Sequence, residues 1–138
     1  IYGSVEAAEA TVAHCERAFP AAAAAAHMHR GCLTLAKGNF KAALSEFQTA
    51  VTLEPGNVTA ATNLAVCLLY CKDLPRAIQA LEAAVRANPA GGLTHAVAFN
   101  LCTLYDLEGA DAPAKKRALQ IVARAYAPED FDPAACKL

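Results

Sequence analysis

The sequence has 138 residues, of which 56% are apolar and 18% are charged, and its formal net charge is −1. This length is typical of one domain, and the alanine-rich composition favours helices. The chain has neither a net positive charge nor an apolar run of about 18 residues, so we predict no nucleic-acid binding and no membrane insertion.

The first predicted element is a single helix over residues 1–20. It carries Ala8, Val12, Cys15 and Pro20 at offsets of 4, 3 and 5, a spacing that returns twice further along the chain. We interpret this helix as the second helix of an upstream repeat, so the chain is predicted to be a piece of a longer protein. Its apolar face, left without a first helix, is expected to favour self-association through this end.

Two complete repeats are predicted over residues 24–57 and 58–91. In each, a small residue is followed by four positions at offsets of 12, 4, 3 and 5. Small residues are expected where two antiparallel helices cross closely, a larger residue fills the adjacent gap, and a proline ends the second helix. The packing residues are Gly31, Ala43, Phe47, Ala50 and Pro55 in the first repeat and Ala65, Ala77, Leu81, Ala84 and Pro89 in the second.

The register of the repeats slips after residue 91. We predict a longer joint over residues 90–94, in which Thr94 is the N-cap of the next helix. The helix pair predicted over residues 95–126 is a degenerate terminal repeat, since it fits the spacing poorly. Residues 127–138 are predicted to be a tail, because their two prolines prevent a long helix.

The spacing of the two complete repeats resembles that of the tetratricopeptide repeat (TPR), which recurs every 34 residues. This resemblance predicts an all-α fold, a TPR α-solenoid of antiparallel helix pairs with about seven helices. Such a solenoid offers its inner surface through the first helix of each pair. The candidate protein-binding groove is therefore Met28, Cys32, Leu35, Thr59, Thr62, Val66, Tyr70, Phe99 and Thr103, and the same inner surface is expected to include Leu69 and Asp106.

The predicted groove is mostly apolar. Asn63 and Asn100 match one position of the clamp with which chaperone-binding repeats hold a C-terminal carboxylate, but no lysine or arginine stands beside them. A helix or an apolar peptide is therefore a better ligand than a charged C-terminus. An equally weighted alternative is that these residues do not bind a peptide but pack against each other or against a subunit.

No catalytic residue, cofactor site or metal site is predicted, and we expect no enzymatic activity. Cys67 and Cys71 share one helix face and could bind a metal together, but no histidine lies nearby at ligand spacing. His27 and His29 are two residues apart and point to different faces. We interpret both cysteines as packed apolar residues and all six cysteines of the chain as reduced thiols, which favours a cytoplasmic protein.

The sequence assigns no partner to four charged residues. Arg30 stands where the repeat favours an apolar residue, and we expect its aliphatic part to cover the core while its charge reaches water. Glu6, Glu9 and Glu16 are spread along the first helix and are expected to be solvated.

Four blocks resemble the family of subunit 12 of the trafficking protein particle (TRAPP) complex. The similarity extends from about Glu54 to the end of the chain. One difference is the turn at residues 71–73, where a glycine is expected and none is present. The blocks are Asn63–Tyr70, Phe99–Glu108, Lys115–Leu119 and a C-terminal stretch with Asp130, Phe131, Cys136, Lys137 and Leu138.

The family resemblance implies a non-catalytic scaffold whose partners are other protein subunits of a tethering complex. That complex acts on a Rab-type GTPase in ER-to-Golgi vesicle traffic and autophagy, so a cytoplasmic location at the periphery of ER–Golgi or Golgi membranes is implied. The alternative is a TPR adaptor or co-chaperone that binds a short apolar or helical peptide in its concave groove. A scaffold should bind a whole subunit through a convex or end surface, whereas an adaptor should bind an isolated peptide.

Overall fold

The computed structural model describes residues 4–18, 22–109, 111–126 and 131. These residues form eight α-helices and no β-strand, which confirms the predicted all-α fold. None of the helices in this part of the chain is long and apolar enough to cross a membrane. The helices are α1 (Val5–Ala18), α2 (Ala23–Ala36), α3 (Phe40–Leu53), α4 (Val58–Tyr70), α5 (Leu74–Ala87), α6 (Pro89–Gly92), α7 (His95–Glu108) and α8 (Ala112–Tyr126).

Four polar side chains define where helices begin. Asn39, Asn57, Asp73 and Thr94 each accept a hydrogen bond from the backbone N–H three residues later, at 3.0–3.3 Å. Each cap satisfies one of the N–H groups that the first helical turn leaves without a partner. The predicted role of Thr94 as an N-cap is therefore confirmed.

The joint expected over residues 90–94 contains a short helix, α6, that the sequence interpretation missed. The Asn88 side chain accepts a hydrogen bond from the N–H of Gly91 at 3.0 Å. Pro89 supplies the backbone angle of a first helical position without losing a hydrogen bond. Because the Asn88 cap and Pro89 both stabilise the first turn, a helix of only four residues forms.

The long helices pack as pairs, α2 with α3, α4 with α5 and α7 with α8. The pairs are joined through contacts of α3 with α4 and of α5 with α7, and α1 packs against α2. Among the residues predicted to pack at helix crossings, all except the two prolines are buried. Pro55 is exposed and Pro89 is partly buried, which fits prolines that end helices at the surface.

Gly31 of α2 lies directly against Phe47 of α3. A Cβ atom placed on Gly31 would lie 2.5 Å from Cε1 of the Phe47 ring. Phe47 itself has no exposed surface. The absence of a side chain at Gly31 is therefore what allows a phenylalanine to fill the space between the two helices.

The crossing of α4 and α5 gives a direct test of this packing. Ala77 has no exposed surface, so Ala77→Leu should overpack the crossing and lower the free energy of unfolding by roughly 1–3 kcal/mol. Ala83 lies on the same helix and is exposed, so Ala83→Leu is the matched control and should change little. Chemical denaturation followed by circular dichroism measures both, and a parent-like midpoint for Ala77→Leu would contradict the packing.

The turn between α4 and α5 contains the only non-glycine residue with a positive φ in the described part of the chain, Lys72 at 62°. Gly38, with φ of 76°, occupies the corresponding place in the turn between α2 and α3. Both turns are closed by the same pair of backbone hydrogen bonds to the preceding helix, 2.8–2.9 Å long. Lys72 thus adopts the conformation for which the family resemblance favours glycine, at a cost of roughly 1–2 kcal/mol.

Exchanging the residue types at these two turns should have opposite effects on stability. Lys72→Gly should raise the free energy of unfolding by about 0.5–1 kcal/mol, because relief of the backbone strain exceeds the added chain entropy of glycine. Gly38→Lys should lower it by about 1 kcal/mol through strain alone, since no atom lies within 4 Å of an added Cβ. Thermal denaturation measures both, and a Lys72→Gly variant that melts below the parent would refute the assignment of strain.

Some predictions concern residues outside the described part of the chain. Pro20, predicted to end the first helix, and nearly all of the predicted tail over 127–138 lie there. Phe131 is described: it packs against the core, and its ring centroid lies 6.4 Å from that of His95.

Candidate protein-binding surface

One side of α4 and of α7 exposes large apolar side chains. On α4, Tyr70 is 64% exposed, and Val66 and Leu69 are each 37% exposed. On α7, Phe99 is 56% and Leu107 is 65% exposed. Val66 lies three and four residues before Leu69 and Tyr70, and Phe99 lies eight residues before Leu107, so each group lies along one side of its helix.

The predicted groove residues divide between the core and this exposed side. Met28, Leu35 and Thr62 are partly buried, and the first two pack against the core. The other six are exposed. We define the first-helix surface as these six residues together with Leu69 and Leu107, namely Cys32, Thr59, Val66, Leu69, Tyr70, Phe99, Thr103 and Leu107. Sequence reasoning missed Leu107, although it follows Phe99 and Thr103 at helical spacing.

The thiols of Cys32 on α2, Cys67 on α4 and Cys71 after α4 lie near one another. Burial raises the pKa of the Cys67 thiol, and the nearby thiols of Cys71 and Cys32 raise it further. Cys67 has no exposed surface, whereas Cys32 and Cys71 are exposed. The interpretation of Cys67 as a packed residue therefore holds, but that of Cys71 is wrong, because Cys71 follows the last residue of α4 and faces solvent.

An aromatic stack joins the start of α3 to the end of α4. The ring centroids of Phe40 and Tyr70 are 4.1 Å apart, with an angle of 22° between the ring planes. A stacked aromatic pair contributes about 0.5–1.5 kcal/mol beyond its buried area. The stack holds the Tyr70 ring in one orientation while most of its surface remains open to solvent.

Arg30 connects three helices through ion pairs. Its guanidinium lies 2.5 Å from a carboxylate oxygen of Glu16 on α1 and 3.2 Å from one of Glu46 on α3. The Nδ1 atom of His27 lies 2.8 Å from the same Glu46 carboxylate. We call these four residues the ion network. Arg30 and Glu16 are both partly exposed, so the Arg30 charge reaches water as expected, but the sequence interpretation missed that the two groups pair with each other.

The ion network changes the acidity of its members. Burial by itself would raise the pKa of Glu46, but hydrogen bonds and charges from His27 and Arg30 hold that pKa below its usual value. Burial would likewise lower the pKa of Arg30, but Glu46 and Glu16 raise it. Both groups are therefore stabilised in their charged forms.

The depressed pKa of Glu46 makes stability depend on pH. Its contribution is present above the carboxyl pKa of the unfolded chain and is lost as the pH falls through the folded-state pKa. Between about pH 5 and pH 3, the parent should lose about 1 kcal/mol more unfolding free energy than Glu46→Gln. Urea denaturation at several pH values measures this. Glu6→Gln, which removes an exposed carboxylate of α1, is the control, and equal pH slopes for parent and Glu46→Gln would contradict the role of Glu46.

A second ion pair holds α8 against α7. Lys116 is only 7% exposed, and its ammonium lies 2.6–2.7 Å from the two carboxylate oxygens of Asp106. Asp106 is on the exposed side of α7, but its carboxylate is engaged in this contact. It therefore contributes to helix packing and is not part of the first-helix surface.

A buried tyrosine connects α5 to α7. The Tyr105 hydroxyl donates a hydrogen bond to Glu82 at 2.9 Å. Burial raises the pKa of Tyr105, and the hydrogen bond to the Glu82 carboxylate raises it further. A cleft of about 220 Å³ lies beside this contact, between α5, α7 and α8. The Tyr105 hydroxyl is thus a neutral hydrogen-bond donor at neutral pH.

Metal-binding chemistry has no support in the described ranges. Within residues 4–18, 22–109, 111–126 and 131, no group of three or more histidine, cysteine, aspartate or glutamate side chains is arranged to hold a metal ion.

Comparisons with known proteins agree with this architecture. The tetratricopeptide repeat family model matches residues 34–97. A solved structure, the K341M mutant of the Thermobaculum terrenum O-GlcNAc transferase, matches over 88% of this chain and 23% of its own, with a TM-score of 0.58. The fold is a tetratricopeptide-repeat solenoid. The identity to the transferase is 24%, so this likeness concerns the fold alone.

Two curated relatives show which TPR protein this chain resembles in sequence. Trafficking protein particle complex subunit 12 from Mus musculus and from Homo sapiens are each 39% identical to the chain over 92 residues, which is 67% of the chain. The match spans 12% of the length of each relative. The predicted resemblance is therefore confirmed: this is a TPR region similar to part of subunit 12.

Proposed function

We propose that this TPR solenoid is a non-catalytic protein-interaction scaffold that serves as an assembly module of a TRAPP-type tethering complex. The observation that carries the proposal is the first-helix surface, where Tyr70, Phe99 and Leu107 are each more than half exposed on regular helices. Several large apolar side chains exposed on one side of a helix are characteristic of protein interaction sites. The sequence similarity to subunit 12 supports a tethering complex as the setting.

The physical basis of binding is the removal of apolar surface from water. Covering such surface is favourable by roughly 25 cal/mol per Å². Because the side chains stand on packed helices, and Tyr70 is held by its stack on Phe40, little further ordering is needed when a partner binds. The fold does not use these groups for its own core, so they are available to another protein.

The cellular role proposed here follows from the similarity to subunit 12. The partners are other protein subunits of the complex, and the complex acts in ER-to-Golgi vesicle traffic and autophagy. Its location is the cytoplasm at the periphery of ER–Golgi or Golgi membranes. Any catalytic exchange on a GTPase belongs to other subunits, and the repeats position those subunits.

The α1 end of the solenoid is proposed as a second contact surface. None of the residues of α1 is buried, although the helix carries Val5, Val12 and Cys15. Self-association or contact with a subunit through this end would cover them.

The proposal predicts which proteins copurify with the full-length protein. When the full-length protein is purified from cell extract and analysed by mass spectrometry, other tethering-complex subunits should be recovered with it in stable amounts. Replacing Tyr70 and Phe99 together by alanine should lower that recovery roughly tenfold, as expected for the loss of aromatic anchors. Leu53→Ala is the control, because Leu53 is half exposed on the second helix α3.

Two outcomes would contradict the proposal. Recovery of chaperones or of a single client without any tethering subunit would favour the adaptor or co-chaperone alternative. Equal recovery by the double variant and the Leu53→Ala control would exclude the first-helix surface as the contact.

A further inference from the structure

We infer that the edge of the solenoid formed by the α4–α5 turn and the start of α3 is a docking patch for an acidic segment of a protein partner. The segment carries an aromatic or leucine side chain next to its carboxylates. We call this edge the Tyr70 patch and define it as Phe40, Lys41, Tyr70 and Lys72. The inference rests on the proposed function and specifies the partner chemistry of one part of the first-helix surface.

The apolar half of the patch is already organised. The Tyr70 ring stacks on Phe40 at 4.1 Å and is nevertheless 64% exposed. Leu69, which precedes Tyr70, is also exposed. A ring held on one face and open on the other offers a flat apolar contact whose rotamer freedom is already reduced.

The basic half of the patch is uncompensated. Among the described residues, neither Lys41 nor Lys72 forms an ion pair or a side-chain hydrogen bond, and both are exposed. Neighbouring cations at the same edge are paired, Lys37 with Glu9 and Arg76 with Asp73. Lys41 directly follows Phe40 in the chain and Lys72 lies two residues after Tyr70, so two positive charges that are not neutralised within the described residues adjoin the aromatic pair in sequence.

The backbone of Lys72 is the observation that points to function. Its φ of 62° is unfavourable for any residue with a side chain, and Gly38 occupies the equivalent turn without strain. The lysine side chain contacts no described partner, so no ion pair or hydrogen bond offsets this strain. Backbone strain of this kind clusters at functional sites, and here the strained residue contributes a charge at the end of α4.

These features favour an acidic protein segment over a nucleic acid as the partner of the Tyr70 patch. Nucleic acid binding depends on many lysine and arginine contacts, whereas the chain has a net charge of −1. Two cations beside an aromatic stack match a short motif in which carboxylates adjoin an apolar anchor. The lysines then give charge complementarity and the stack gives the contact area.

The test begins with a selection that identifies the peptides used as binding probes. A phage-displayed library of random 16-residue peptides is selected on the 138-residue chain. The enriched peptides should carry aspartate or glutamate next to phenylalanine, tryptophan or leucine. Failure to enrich any peptide, or enrichment of peptides without acidic residues, would overturn the inference.

The enriched peptides are then titrated against variants by fluorescence anisotropy. Lys72→Gly and Lys41→Ala should each weaken binding roughly fivefold, Tyr70→Ala should weaken it roughly tenfold, and parent affinity should fall as salt rises. Lys72→Arg retains the charge and should bind like the parent. The control Arg124→Ala removes an exposed cation of α8, away from the patch, and should have no effect.

Lys72→Gly separates binding from folding. Its melting temperature should be no lower than that of the parent, so a loss of affinity in this variant cannot arise from unfolding. Parent-like affinity of Lys72→Gly for the selected acidic peptides would overturn the inference. If the peptides do not bind as expected while the full-length protein still copurifies with tethering subunits, the assignment of the docking patch is wrong and the proposed scaffold function stands.

Discussion

The close approach of paired helices is the constraint on which the rest of the structure depends. At Gly31 the backbone of α2 lies against the Phe47 ring with no room for a Cβ atom. Ala43 and Ala77 have no exposed surface. Small residues at the crossings let larger ones fill the spaces between the helices, so each pair is a rigid unit. Because a pair cannot bury all of its apolar surface alone, neighbouring pairs stack.

Core and surface are built from different positions of the same helices. On α4, Leu64 and Leu68 are buried, while Val66 and Tyr70 are exposed. The apolar side chains that we assign to a partner are therefore not those that hold the repeat together. Such a division lets a repeat protein change its partner while the packing positions stay the same, which suits a scaffold whose specificity lies in its surface.

The fold was predictable because its signal is periodic and local. Packing positions return after one repeat length, and caps such as Thr94 act within one helical turn. The partners of Arg30 were not predictable, since Glu16 and Glu46 lie on different helices and meet it only in the tertiary structure. At Lys72 the missing glycine was visible in the sequence, but its meaning required the backbone angle. The groove residues could be ordered along their helices, whereas the exposure of Leu107 and the stack beneath Tyr70 depended on neighbouring helices.

The attachment of α1 differs in kind from that of the other long helices. It buries none of its residues, and it is tied to α2 by pairs between Glu16 and Arg30 and between Glu9 and Lys37. The Glu9–Lys37 pair is exposed and is therefore weakened by salt, whereas the partly buried Glu16–Arg30 pair is screened much less. The hold on α1 therefore weakens only in part as salt rises, while the helix pairs remain intact. We expect α1, which buries none of its residues, to be the long helix whose amide hydrogens exchange first.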